Sequence, residues 1–168
     1  ALFLNFSNDH LEWHGSKNKY LNSKFKIFRL QKKKNFSIIN KNLKKKFIKK
    51  NFSGKLLIPK IKYYKSIKNK IKNDYLTSNI NEENMSFVYT LSTLLKISEK
   101  SFLNSMRSFK GLPHRFEIFL KKGNITFINN SKATSFTATE PALYSLKNIY
   151  WIFRGIQKKN DRFKLLNF

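Results

Sequence analysis

The chain has 168 residues, a length that suits one ordinary domain or two incomplete ones, and its 35 Lys and Arg against 9 Asp and Glu give a net charge of +26. A hydrophobic content of 40%, with 17 Phe, excludes a disordered basic tail, and the absence of Cys excludes disulfides, thiolate zinc sites and cysteine nucleophiles. No apolar run reaches the roughly 18 residues of a membrane span, and the opening ALFLNFSNDH carries neither the basic start nor the cleavage site of a signal peptide.

That opening also lacks Met and begins in a strand-like run, as expected of a chain cut from within a larger protein. Leu2 to Phe6 reads as a short buried strand ending in the polar turn Ser7-Asn8-Asp9. From Lys17 to Leu30 the apolar positions Tyr20, Leu21, Phe25, Ile27 and Phe28 predict a helix. Phe36 to Ile39 is a second strand. Lys41 to Lys72 is lysine-rich and broken by Gly54 and Pro59, and its apolar pieces, Leu56 to Ile58 and Ile61 to Tyr64, read as edge strands or loop. Asn81 to Ile97 is the clearest helix, with Met85, Val88, Leu91, Leu94 and Leu95 at helical spacing and Asn81 as its N-cap. Another helix covers Glu99 to Phe109. Gly111-Leu112-Pro113 then punctuates the chain and marks the expected domain boundary, dividing it into 1–111 and 112–168. Beyond it, Phe116 to Leu120 and Ile125 to Ile128 form a hairpin, Thr139 to Leu146 a helix and Ile149 to Phe153 a buried strand. This order predicts an α/β fold with a parallel sheet in the second half.

The charge has two readings. A strong positive balance suits nucleic acid or an anionic membrane. Here the excess is nearly all Lys, and Lys, Asn, Ile and Phe are the residues of A/T-rich codons. Phosphate and base recognition favours the bidentate fork of Arg, which is scarce. The expectation is therefore a solvated surface with no nucleic-acid and no membrane partner.

Three segments could carry chemistry. Asn8-Asp9-His10 lies at a strand end, where ligand sites of α/β proteins collect, with Glu12 and His14 following. A His beside carboxylates can ligate a metal or act as a base, or it can simply be hydrogen-bonded in a polar turn. Leu112-Pro113-His114-Arg115-Phe116-Glu117 holds one of the few Arg residues, either for its geometry or for an interdomain salt bridge. Ile128-Asn129-Asn130-Ser131-Lys132-Ala133-Thr134 runs from a strand into a polar turn before a helix, which suits an anion or a plain cap. No phosphate loop, dinucleotide fingerprint or triad pattern is present.

Together these segments resemble the Mur ligase family. GLPHRFE followed by INNSKAT is similar to the LPHR…DSKAT pattern of its D-glutamate-adding branch. NFSNDHLEWHG and YLNSKFKIF resemble the segment carrying a metal-binding His and a carbamylated Lys. Asn81-Glu82-Glu83-Asn84 resembles the family's HNxxN, and NIYWI followed by Gly155 the strand that opens the last domain. The likeness departs at three places: Asn130 stands where the family has Asp, Ile80 where it has His, and Arg154-Gly155 where it has Gly-Gly.

The resemblance implies the end of a central ATPase domain followed by the start of a Rossmann-like ligase domain. It implies a cytoplasmic peptidoglycan-precursor enzyme, monomeric when complete, that uses ATP and Mg²⁺ to join D-glutamate to UDP-N-acetylmuramoyl-L-alanine through an acyl phosphate. His10 and the carbamate of Lys24 would hold Mg²⁺, with Asp9 near the incoming amino acid. Asn81, Asn84 and Asn130 would hold the nucleoside, Arg115 the ATP phosphates, and Lys132 and Thr134 the substrate side. His10, Lys24 and Arg115 would be catalytic. The phosphate loop and an upstream Glu ligand lie outside this sequence, so the piece is expected not to turn over alone. The competing expectations are a basic nucleic-acid-binding module and a degraded, inactive Mur-like protein.

Overall fold

A computed structural model describes residues 1–6, 11–156 and 161, with Leu11 and Glu12 described by backbone alone. The first half is built on three parallel strands in the order β1 (Leu2–Phe3), β2 (Phe36–Ile39) and β3 (Lys55–Leu57). Leu2 pairs with Ile38, and Ser37 with Leu56. Helices α1 (Leu11–His14) and α2 (Lys17–Phe25) connect β1 to β2, and α3 (Lys44–Ile48) connects β2 to β3. This is the alternation a parallel sheet requires. Ser16 starts α2 by accepting from the Lys19 N–H.

Two apolar cores hold the elements. The first gathers Leu21, Phe25, Phe28, Ile39, Leu43 and Phe47 beneath the sheet, and the Phe28 and Phe47 rings meet edge to face at 5.0 Å. Gly54 is needed here because a Cβ would lie 2.7 Å from both Gln31 Oε1 and Ser37 Oγ. The second core is helical. It joins α4 (Ile61–Ile71), α5 (Asp74–Thr77), α6 (Glu82–Leu94) and α7 (Glu99–Ser108) through Tyr64, Ile67, Ile71, Leu76, Met85, Phe102 and Leu103. Asn40, at the end of β2, donates from its amide to the Glu83 carboxylate, which ties the sheet to the first turn of α6. After α7 come the antiparallel hairpin β4 (Glu117–Lys122) and β5 (Ile125–Asn129), then α8 (Phe136–Tyr144).

Several expectations need correction. The first strand stops at Phe3 rather than Phe6. The helix from Lys17 ends at Phe25 and tightens into a 3₁₀ turn over Lys26–Phe28. Ile61 to Tyr64 is not extended but opens α4, whose buried side chains Tyr64, Ile67 and Ile71 follow helical spacing. Lys41 to Ile48 is likewise helical. Asn81 closes a 3₁₀ turn in right-handed helical geometry and makes no side-chain cap to α6, which ends at Leu94. The buried side of α6 is Met85, Ser86, Phe87 and Ser92, while Val88 and Leu95 are exposed. Residues 149–153 form no strand, and Tyr150 and Ile152 are 99% and 94% exposed. The parallel sheet therefore belongs to the first half, and the second half carries only the hairpin among the described residues. No helix among the described residues is long and apolar enough to cross a membrane.

Candidate functional site

A cleft of about 200 Å³ opens where the start of α6 faces the hairpin ends and α8. Five expected residues line it: Asn81, Asn84, Arg115, Asn130 and Lys132. They come from three separate parts of the sequence, so the cleft is a product of the fold.

Local chemistry fixes the Asn pair. Asn73 starts α5 by accepting from the Leu76 N–H at 3.2 Å. The short helix then presents the Tyr75 carbonyl to Asn81, whose Nδ2 donates to it at 2.7 Å. Asn84, one helical turn on, donates to Asn81 Oδ1 at 3.5 Å. The Asn81 amide is thus held by backbone, and the Asn84 carbonyl oxygen accepts no hydrogen bond from a described residue.

Two hydrogen bonds staple the cationic side. The Lys132 N–H donates to the His114 carbonyl at 3.0 Å, and the Phe116 N–H donates to Asn130 Oδ1 at 3.1 Å. They bind segment 114–116 to segment 130–132 and so bring Arg115 and Lys132 to one cleft. His114 and Phe116, on either side of Arg115, have φ of 63° and 50°. Left-handed non-glycine residues cost about 1–3 kcal/mol each and persist where neighbours hold them. Here Glu117 Oε2 accepts the His114 N–H at 2.8 Å, and Asn129 Nδ2 meets His114 Nδ1 at 2.8 Å. Because Asn129 Oδ1 accepts from the Ser131 N–H, its Nδ2 is the donor to the His114 ring.

Among the described residues no Asp or Glu lines the cleft. Of the acids nearby, Glu82 lies 3.6 and 3.5 Å from Lys65 and Lys68, Glu83 holds Asn40, and Glu140, on α8 beside the lining Pro141, has an Oε1 buried without a hydrogen-bond partner among the described residues. Two cations lining the cleft suit an anion, and Asn84 leaves its Oδ1 and one N–H for a polar ligand, both N–H groups of Asn81 being spent on the Tyr75 carbonyl and Ser78 Oγ. Below the cleft, the Tyr64 hydroxyl donates to the Leu76 carbonyl at 3.1 Å. Burial, with Glu82 adding to it, pushes that hydroxyl up to about 12. It is therefore a neutral structural bond supporting the α4–α5 packing.

The other expected residues stand apart. Asp9 and His10 lie outside the described residues. Lys24 is exposed on α2, its Nζ 5.3 Å from the Tyr20 ring centroid, and does not line the cleft. Phe6 and His14, the described aromatic residues bracketing Asp9 and His10, both contact that Tyr20 ring, at 5.2 and 4.7 Å. Thr134 is exposed between the cleft turn and α8 and is not a lining residue. Among the described residues no three His, Asp or Glu group to hold a metal. Sequence reasoning missed Tyr75, Phe116 and the small α8 residues Ala138 and Ala142 in the cleft wall. The only signal for Tyr75 was the capping Asn before it.

The parallel sheet and the helical layer beside it define an α/β class of protein. Residues 1–107 match the Mur ligase middle domain, and the chain belongs to the Mur ligase family. Over 96% of its length it is 31% identical to a UDP-N-acetylmuramoylalanine–D-glutamate ligase of Natranaerobius thermophilus, covering 39% of that protein. It is 29% identical to the enzyme of that name from Rickettsia prowazekii over 95% of this chain and 40% of the relative. Over 47% of the chain, and 17% of the relative, it is 40% identical to that of Rhizobium meliloti. The chain thus spans about two fifths of the length of the first two relatives.

Proposed function

We propose that the chain is the nucleotide-binding hinge region of a cytoplasmic ligase that joins D-glutamate to UDP-N-acetylmuramoyl-L-alanine in peptidoglycan precursor synthesis. The observation that carries this reading is the meeting of Asn81, Asn84, Arg115, Asn130 and Lys132 in one cleft. The names of the relatives supply the substrates. In this reading residues 1–111 close a central ATP-binding domain and 112–168 open a Rossmann-like ligase domain.

The residues fit ATP by charge and by hydrogen-bonding type. Arg115 and Lys132 would face its phosphates, since guanidinium and ammonium groups bind phosphoryl oxygens through charge-assisted bonds. Asn81 and Asn84 would hold the base edge, and Asn130 the ribose. The cleft is smaller than the roughly 300 Å³ of typical ligand pockets, so it would hold one end of the nucleotide. ATP supplies the phosphoryl group that activates the substrate carboxylate, and Mg²⁺ neutralises the anions brought together. His10 and a carbamate on Lys24 would hold that ion, with Asp9 and Thr134 toward the amino-acid and substrate side. No Gly-Lys-Ser or Gly-Lys-Thr phosphate loop occurs in the sequence, so this chain would bind nucleotide without turning over.

Calorimetric titration of ATP into the chain tests the reading. Binding should weaken about 10-fold or more in Arg115→Ala, as expected for losing a charged hydrogen bond. Equal affinity in the variant, or no binding by either, would refute the placement of the phosphates.

A further inference from the structure

We infer that the lysine-rich side of the parallel-sheet half is a docking surface for an anionic lipid bilayer, a site separate from the nucleotide cleft and independent of the ligase reading. The charge is concentrated, not spread. From Trp13 to Asn73 the sequence has 21 Lys and Arg and no Asp or Glu. The ion pairs among the described residues of this stretch are those of Lys65, Lys68 and Lys70, at its far end. Every Lys and Arg from Lys17 to Lys62 is exposed, and none of them forms an ion pair among the described residues.

The fold gathers these charges. The segment after α2 carries Lys26, Arg29 and Lys32 to Lys34, and the α3 segment carries Lys44 to Lys46, Lys49 and Lys50. The two segments are joined underneath, where Phe28 lies 5.0 Å from Phe47 and 5.8 Å from Phe52. Exposed aliphatic side chains sit among the cations in the same segments: Leu30 is 94% exposed, Ile27 56% and Ile48 57%.

Lysines interleaved with aliphatic tips suit a bilayer better than a nucleic acid. Ammonium groups act as point charges toward lipid phosphates, and aliphatic tips partition into the boundary below them. A nucleic-acid surface draws on Arg forks and aromatic stacking, whereas Arg29 is the one Arg from Lys17 to Lys62. The proposal departs from the expectation of a solvated face without a membrane partner, and the contact it describes is peripheral, with no segment inserted across the bilayer.

The test is co-sedimentation with phosphatidylcholine vesicles and with phosphatidylglycerol-rich vesicles at about 0.15 M salt, with duplex DNA titrated in parallel. The chain should bind the anionic vesicles selectively. Lys44→Gln, Lys45→Gln, Lys46→Gln, Lys49→Gln and Lys50→Gln combined should weaken that binding at least about 10-fold. An equal charge loss elsewhere, through Lys96→Gln, Lys100→Gln, Lys110→Gln, Lys121→Gln and Lys122→Gln, should weaken it less than about 3-fold, the remote charges being screened. Leu30→Ser with Ile48→Ser should weaken vesicle binding and leave DNA binding unchanged. These two sites are exposed, so this variant reads out the surface even if the lysine variants lose their fold, which circular dichroism would show. Absent vesicle binding, or equal losses from both lysine sets, would overturn the proposal. DNA binding tighter than vesicle binding and indifferent to Leu30 and Ile48 would assign the surface to nucleic acid instead.

Discussion

Asn130 shows how one side chain can carry two duties. Its Oδ1 accepts the Phe116 N–H and so helps set the position of Arg115, leaving its Nδ2 for any ligand. An Asp there could keep one oxygen on Phe116 and offer the other to ribose hydroxyls. A charge-assisted bond gains about 1–2 kcal/mol over a neutral one, and the Lys132 beside it favours the ionised form. Asn130→Asp is therefore expected to tighten ATP binding by roughly 5–30-fold in the same calorimetric titration. Unchanged affinity would make Asn130 a purely structural latch. Tyr64 gives a second residue-scale expectation. Its hydroxyl is raised from 10.0 to about 12 by burial, so the folded state holds the proton in a range where the unfolded chain has released it. Its stabilising contribution is full below pH 10 and is lost as pH rises toward about 12. Melting temperatures across that alkaline range should fall more steeply in the parent than in Tyr64→Phe.

At the scale of elements, the helical layer supports the cleft. Ile71 is fully buried at the end of α4, in the same core as Met85 of α6. Ile71→Ala should cost about 2–5 kcal/mol in denaturant unfolding. Ser98 accepts the Ser101 N–H at 3.2 Å to start α7. Ser98→Ala should cost about 1 kcal/mol by the same measurement. The legibility of elements followed the length of pattern each one offered. Phe36 to Ile39 was readable as a strand because its apolar run is short and bounded by polar turns. The hairpin turns at Gly123, which adopts φ of 57°. α4 was misread because Ile61 to Tyr64, taken alone, is β-branched and aromatic; the helical period emerges only when Ile67 and Ile71 are included. Residues 149–153 have strand composition, yet a strand exists only where a neighbour accepts its hydrogen bonds, and no residue of this stretch pairs with a described strand.

Across the whole molecule, the cleft lies where the family match ends. Tyr75, Asn81 and Asn84 belong to the matched residues 1–107, and Arg115, Asn130 and Lys132 lie beyond them. The residues of the cleft were legible chiefly through the likeness of GLPHRFE, INNSKAT and Asn81-Glu82-Glu83-Asn84 to Mur ligase motifs; by residue type alone only the scarce Arg115 and the polar turn at 129–134 stood out. Their convergence was not legible, since it depends on the 114–116 to 130–132 staple and on the Asn40–Glu83 tie. Calorimetry of the Arg115 and Asn130 variants reads what those side chains contribute, and in a chain of charge +26 the position of the nucleotide is read most directly by photolabelling with azido-ATP followed by peptide mapping. The account predicts label in peptides spanning 75–84 and 112–142, competed away by excess ATP. Competable label confined to the lysine-rich residues 41–50, with none in those peptides, would contradict it.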